Sequence, residues 1–138
     1  MSRLLVAVTP EVQPLMVDAL AGHELIFPED LQRAVSVLKE ERVDLVFCGV
    51  LFDESRMFDL LTSFRVESAK KDLPFLCMRQ PGSLMAHPMC VSSIQVAARA
   101  MGANDFLDYA DREWDKSLLA EIRQTVQSWL PAANFVAA

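Results

Sequence analysis

Val43-Asp44-Leu45-Val46-Phe47-Cys48-Gly49-Val50 decides how the rest of the chain is read. Past Asp44 the run is apolar without alternation. A strand with one wet face alternates apolar and polar residues, whereas a strand covered on both faces is apolar throughout, as in a parallel sheet with helices on either side.

The flanking segments repeat a strand–helix alternation. Upstream, residues 4–8 form a short apolar run that stops at Thr9-Pro10. A helix is predicted over residues 14–21, with Leu15, Met16, Ala19 and Leu20 on one face, Pro14 in its first turn and Gly22 as its stop. Residues 23–27 form a weaker strand. Asp30 is placed to cap a helix carrying Leu31, Ala34, Val35 and Leu38 at helical spacing.

Downstream, Met57, Leu60, Leu61 and Phe64 mark a helix beginning after Asp53-Glu54-Ser55. Residues 73–78 are the fourth strand and residues 80–88 a loop opened by Pro81-Gly82-Ser83. Val91, Ile94, Ala98 and Met101 trace a fourth helix that ends at Gly102, and residues 105–109 a fifth strand. The last helix carries Leu119, Ile122, Val126 and Trp129 and ends at Pro131. Both Trp114 and Trp129 are expected in the core, Trp114 with a second possibility as an interface anchor. Such alternation implies right-handed crossovers and a parallel sheet. The expected architecture is a flavodoxin-like, doubly wound five-stranded sheet of order 2-1-3-4-5 with helices on both faces, spanning residues 1–130 and followed by a short tail, 131–138.

Composition narrows the function. Thirteen Lys and Arg against 19 Asp and Glu give a formal net charge of −6. No basic run exceeds Lys70-Lys71, so a nucleic-acid partner is not expected. No window approaches the roughly 20 apolar residues of a membrane-spanning helix, and the first residues lack a signal-peptide core. Cys48, Cys77 and Cys90 are therefore expected as reduced thiols in a cytoplasmic protein. Cys77, His87 and Cys90 lack the spacing of a zinc site, so no metal is expected. No glycine-rich loop follows the first strand, which argues against a dinucleotide. No nucleophile–base pair stands out around His23 or His87, and neither enzyme activity nor a cofactor is expected.

In this fold, sites form at the carboxyl ends of the strands. The central run 43–49 with the helix from Met57, and Gly102-Ala103-Asn104-Asp105-Phe106-Leu107 before and within the fifth strand, resemble response-regulator receiver domains over residues 3–130. The resemblance implies an acidic pair after the first strand for Mg²⁺, a phosphoacceptor aspartate ending the third, a Ser/Thr ending the fourth and a Lys ending the fifth. Here Val8 and Thr9 stand at the acidic pair with Glu11 nearby, Gly49 at the phosphoacceptor, Arg79 at the Ser/Thr and Tyr109 at the Lys; Asp53 lies beyond Gly49. Phosphorylation needs a metal to neutralise charge, a carboxylate to attack and groups to hold the product oxygens. These replacements remove each of them.

The expectation is thus a non-catalytic pseudo-receiver, a signalling or scaffolding module that works by protein–protein contact. Arg79 either pairs with Glu11, Asp53 or Asp108, or projects into solvent, or holds an anion as part of a small-molecule or anion sensor. Tyr109 either plugs the vacated pocket or lies on the surface. Phe106 sits where receivers carry a switching aromatic, and is expected as core. By resemblance, the fourth helix, fifth strand and fifth helix are the expected contact and homodimer face. Its candidate residues are Leu84, Met85, Met89, Gln95, Arg99, Phe106, Asp108, Trp114 and Lys116, with the methionine-containing 80s loop at its edge.

Overall fold

The computed structural model describes residues 1–66, 72–83 and 88–131, with Pro88 and Met89 described by their backbone alone. Five strands, β1 (Arg3–Ala7), β2 (Glu24–Ile26), β3 (Leu45–Gly49), β4 (Phe75–Arg79) and β5 (Asp105–Asp108), form one sheet of order β2-β1-β3-β4-β5. Every pairing is parallel. The helices are α1 (Gln13–Ala19), α2 (Leu31–Glu40), α3 (Met57–Val66), α4 (Pro88–Ala100) and α5 (Lys116–Ser128). The sheet order and the layering are those expected from the sequence.

β3 is the centre, and all five of its residues are buried. Its alternate side chains feed two separate cores. Val46 and Cys48 join Leu5, Phe75, Cys77 and Phe106 against α2, α3 and Ala98 of α4. Leu45 and Phe47 join Leu4, Val6, Leu76 and Met78 against α1 and α5. Full burial of each such side chain contributes about 1.5–3 kcal/mol, so both faces of β3 are committed to helices and only the strand ends are left for function.

The boundaries differ from the sequence reading in instructive places. β1 stops at Ala7, and a 3₁₀ turn, Pro10–Val12, leads into α1. Leu15 is only half-buried, and Val12 takes its expected place in the core with Met16, Ala19 and Leu20. Along α5 the buried stripe is Leu118, Ile122 and Val126, one residue out of step with the expected start at Leu119. That slip carries Trp129 to the end of the helix, where it is 37% exposed, correcting its assignment to the core. Asp30 caps α2 as expected, accepting from Arg33 N–H at 2.8 Å, and Asp115 does the same for α5 at Leu118 N–H, 2.9 Å.

Gly102 is required where α4 meets β5. Its φ is +104°, and the Arg65 guanidinium, stacked 4.5 Å over the Phe64 ring, donates to the Gly102 carbonyl and fills the space a Cβ would need.

His23 fastens the other end of the sheet. Its ring is buried, and Nδ1 accepts from Ser2 N–H at 3.2 Å beside the β1–β2 pairing. Burial, then Arg123 and the N-terminal ammonium, hold its pKa below the ordinary value. An unfolded chain takes up this proton near pH 6.5 and the folded chain only at lower pH, so stability falls as pH drops below about 6.5. His23→Asn, which keeps an acceptor near Nδ1 but does not titrate, is expected to flatten that part of the pH profile, read by urea denaturation between pH 7.5 and 5.

Candidate functional site: the strand ends

The carboxyl ends of β1, β3, β4 and β5 converge, and the sequence-predicted site residues fall into separate groups there. Val8 is buried beside Gly49. A Cβ added at Gly49 would meet the Val8 Cγ1 methyl at 3.7 Å and the Ala7 carbonyl at 3.8 Å, ordinary van der Waals contact. The end of β3 thus offers no nucleophile, and its nearest neighbour from β1 is a methyl group.

Thr9 and Glu11 form a pair of their own. The Thr9 hydroxyl donates to Glu11 Oε1 at 2.7 Å, and that bond is the main cause of the lowered Glu11 pKa. Glu11 is exposed, and beside Thr9 it is also influenced by Gln80, the residue after β4.

Asp53 is not part of this cluster. The chain turns away after Leu51, and the Asp53 carboxylate accepts from Leu31 N–H at 2.9 Å, the first residue of α2.

Arg79 has one charged partner among the described residues. Its Nη1 lies 3.1 and 3.2 Å from the two carboxylate oxygens of Asp108, its register neighbour on β5, and Nη2 donates to the Ser83 carbonyl at 3.4 Å. Of the three carboxylates considered, Asp108 is the one it meets, and projection into solvent is ruled out: the side chain is 12% exposed. Register explains the choice, because adjacent parallel strands place the two residues side by side. Among the described residues, Nε of Arg79 is buried without a hydrogen-bond partner.

Tyr109 neither plugs a pocket nor lies on the surface. Its ring is buried in the layer facing α1 and α5, with Thr125 of α5 close to its hydroxyl. Burial raises its pKa further above neutrality, so the phenol stays protonated. Cys48 and Cys77 face each other across β3 and β4; burial raises both thiols, Cys77 to about 12, which keeps them protonated.

A hard divalent cation needs several oxygen ligands, usually with two or more carboxylates. Val8, Thr9 and Gly49 supply no carboxylate, and Glu11 is engaged by Thr9. Among the described residues no group of three or more His, Cys, Asp or Glu is arranged to hold a metal. This donor set does not fit the magnesium ion that receivers carry.

The residues expected at the contact face differ in exposure. Arg99 is exposed and paired with Asp105 at 3.2 Å; Lys116 is exposed, and Gln95 and Trp114 are half-buried. Phe106 is buried against Ala98 and Ala103, as its core reading expects, which corrects its inclusion among the contact residues. Leu84 and Met85 lie outside the described residues, as does the side chain of Met89. Val96 of α4, 68% exposed, is an addition that the sequence did not single out. β5 is an edge strand, yet Asp105 accepts its own strand's Phe106 N–H at 2.9 Å and Asp108 accepts Ala110 N–H at 3.1 Å. These bonds occupy edge amides that another strand would use, so a partner on this side meets helices and side chains rather than a free β-edge.

Solved structures with the same architecture cover nearly the whole chain. A response regulator from Hahella chejuensis aligns at a TM-score of 0.77 and 16% identity, over 99% of this chain and 100% of its own. The fold is that of response-regulator receivers. The chemotaxis response regulator CheY4 of Vibrio cholerae gives 0.69 at 20% identity, over 91% and 98% of the two chains. The receiver domain of a Pseudomonas aeruginosa sensor histidine kinase, solved with magnesium in its active-site cleft, gives 0.67 at 16%, over 93% and 96%. At these identities the likeness is one of fold. No protein-family model matches the sequence, and no curated protein matches it. Among the described residues, no helix is long and apolar enough to cross a membrane.

Arg79–Asp108 joins the ends of β4 and β5 by an ion pair, and its two halves are unequal. Asp108 is 40% exposed and can be rehydrated, whereas Arg79 is mostly covered. Asp108→Ala should cost about 1–3 kcal/mol by leaving a covered guanidinium short of its partner. Arg79→Met, which keeps the stem packed, should cost less. Urea denaturation of both variants checks the order.

Proposed function

We propose that this chain is a non-catalytic, cytoplasmic receiver-fold module, a pseudo-receiver that signals or scaffolds by protein–protein contact and does not depend on phosphorylation. The observation that carries this reading is the Val8–Gly49 contact: a methyl group and a residue without a side chain stand where metal ligands and a nucleophile would have to be. Arg79, fixed by Asp108 and Ser83, supports it by holding the β4–β5 loops in one arrangement without a phosphoryl oxygen to grip.

The working surface in this reading is α4, β5 and α5, where a second copy of the chain binds. Exposed Val96 is its apolar contribution, and Arg99, Asp105, Asp108 and Lys116 supply charges of both signs on the same elements. That arrangement suits a self-complementary contact, since each charge has an opposite sign nearby to meet across a two-fold axis. A second reading rests on Arg79 Nε, buried and without a partner: a small anion at the crevice would satisfy it, making the domain an anion sensor.

Sedimentation velocity over a concentration series separates these possibilities. The wild-type chain is expected to dimerise, and Val96→Asp to weaken association at least about tenfold, the effect of losing about 1.4 kcal/mol. A wild-type chain that stays monomeric, or a variant that dimerises equally well, contradicts the contact reading. A thermal shift induced by inorganic phosphate and lost in Arg79→Ala would favour the sensor.

A further inference from the structure

Three residues beyond the end of β3, the backbone turns left-handed for three residues. Asp53 (φ 45°, ψ 64°), Glu54 (φ 55°, ψ 45°) and Ser55 (φ 67°) occupy a region that L-residues avoid because Cβ crowds the next carbonyl, and none of them is glycine. Single residues of this kind occur in turns. Three in succession persist only where the surroundings force them.

The forces are identifiable. Phe52 and Met57, on either side, are each 1% exposed and pin the two ends of the segment in the core. Arg56 N–H donates to the Phe52 carbonyl at 2.8 Å and closes the turn. Sideways, Asp53 fastens it to α2 through Leu31 N–H at 2.9 Å. That bond uses one free amide of the helix start and places a negative charge at the positive end of the helix dipole. Glu54, Ser55 and Arg56 are exposed, so no packing holds the middle of the strap.

We propose that residues 53–55 are a latched strap with two states. In the latched state Asp53 couples the end of β3 to the start of α2 and stores the left-handed strain. In the released state Asp53 leaves Leu31, the three residues relax to ordinary φ values, and the α2–α3 side of the strand ends is remodelled without covalent modification. The inference goes beyond the proposed function, because it concerns the α2–α3 side and does not depend on which surface binds a partner.

Two variants and one spectroscopic measurement test it. Glu54→Gly removes only an exposed side chain but frees the backbone at positive φ. It should raise the melting temperature by roughly 3 °C. Asp53→Ala should speed hydrogen exchange at the Leu31 amide about fivefold to tenfold, the effect of a lost cap. In the wild-type chain, relaxation dispersion should report one shared microsecond–millisecond exchange rate for Leu31 and residues 53–56, suppressed in Glu54→Gly. A lower melting temperature in Glu54→Gly would mean the turn is not left-handed in solution and would overturn the proposal. Unchanged Leu31 exchange in Asp53→Ala, or flat dispersion across the segment, would overturn it as well.

Discussion

A central strand with no wet face sets the terms for the whole molecule. Every side chain of β3 is buried, so helices must cover both sides of the sheet. Parallel neighbours then follow, because each strand has to return through a helix before it can pair. The chain has freedom only where strands end and loops begin. Function is thereby confined to the ends of β1, β3, β4 and β5 and to the outward faces of the helices.

The strand ends are settled by small local interactions rather than by a shared cluster. Val8 lies against Gly49, Thr9 holds Glu11, Asp108 holds Arg79, Thr125 meets Tyr109, and Asp53 reaches across to α2. In a phosphorylation site the acids would face one another, and their mutual repulsion would be relieved by a cation. Here the carboxylates are each held separately or turned elsewhere, while Arg79 Nε stays buried without a partner. The result is a crevice without strong demand for a metal. This is the physical basis for reading the receiver fold as a scaffold for contacts.

Much of this was legible in the sequence. The unbroken apolar run at 45–50 and the helical stripes that follow each strand implied the sheet order, and Asp30 announced the start of α2. The replacements at Gly49, Arg79 and Tyr109 were visible as residue types, and Asp108 was among the named partners for Arg79. What was not legible depends on tertiary context. Asp53-Glu54-Ser55 looks like an ordinary helix start, since nothing in those residue types announces a positive φ; the strain is imposed by Phe52 and Met57 in the core and by Leu31 across the turn. Leu118 and Leu119 are adjacent, so the stripe of α5 could begin at either, and the choice moved Trp129 from core to surface. Tyr109 was undecided because a buried phenol needs a partner, and Thr125 lies on a different element.

The central claim is that this receiver fold does not take a phosphoryl group at the end of β3. Intact-mass spectrometry after incubation with acetyl phosphate and Mg²⁺ tests it directly, with hydroxylamine treatment as the control for an acyl phosphate. The account predicts an unchanged mass. A gain of one phosphoryl group that is lost to hydroxylamine and maps to an aspartate would contradict it.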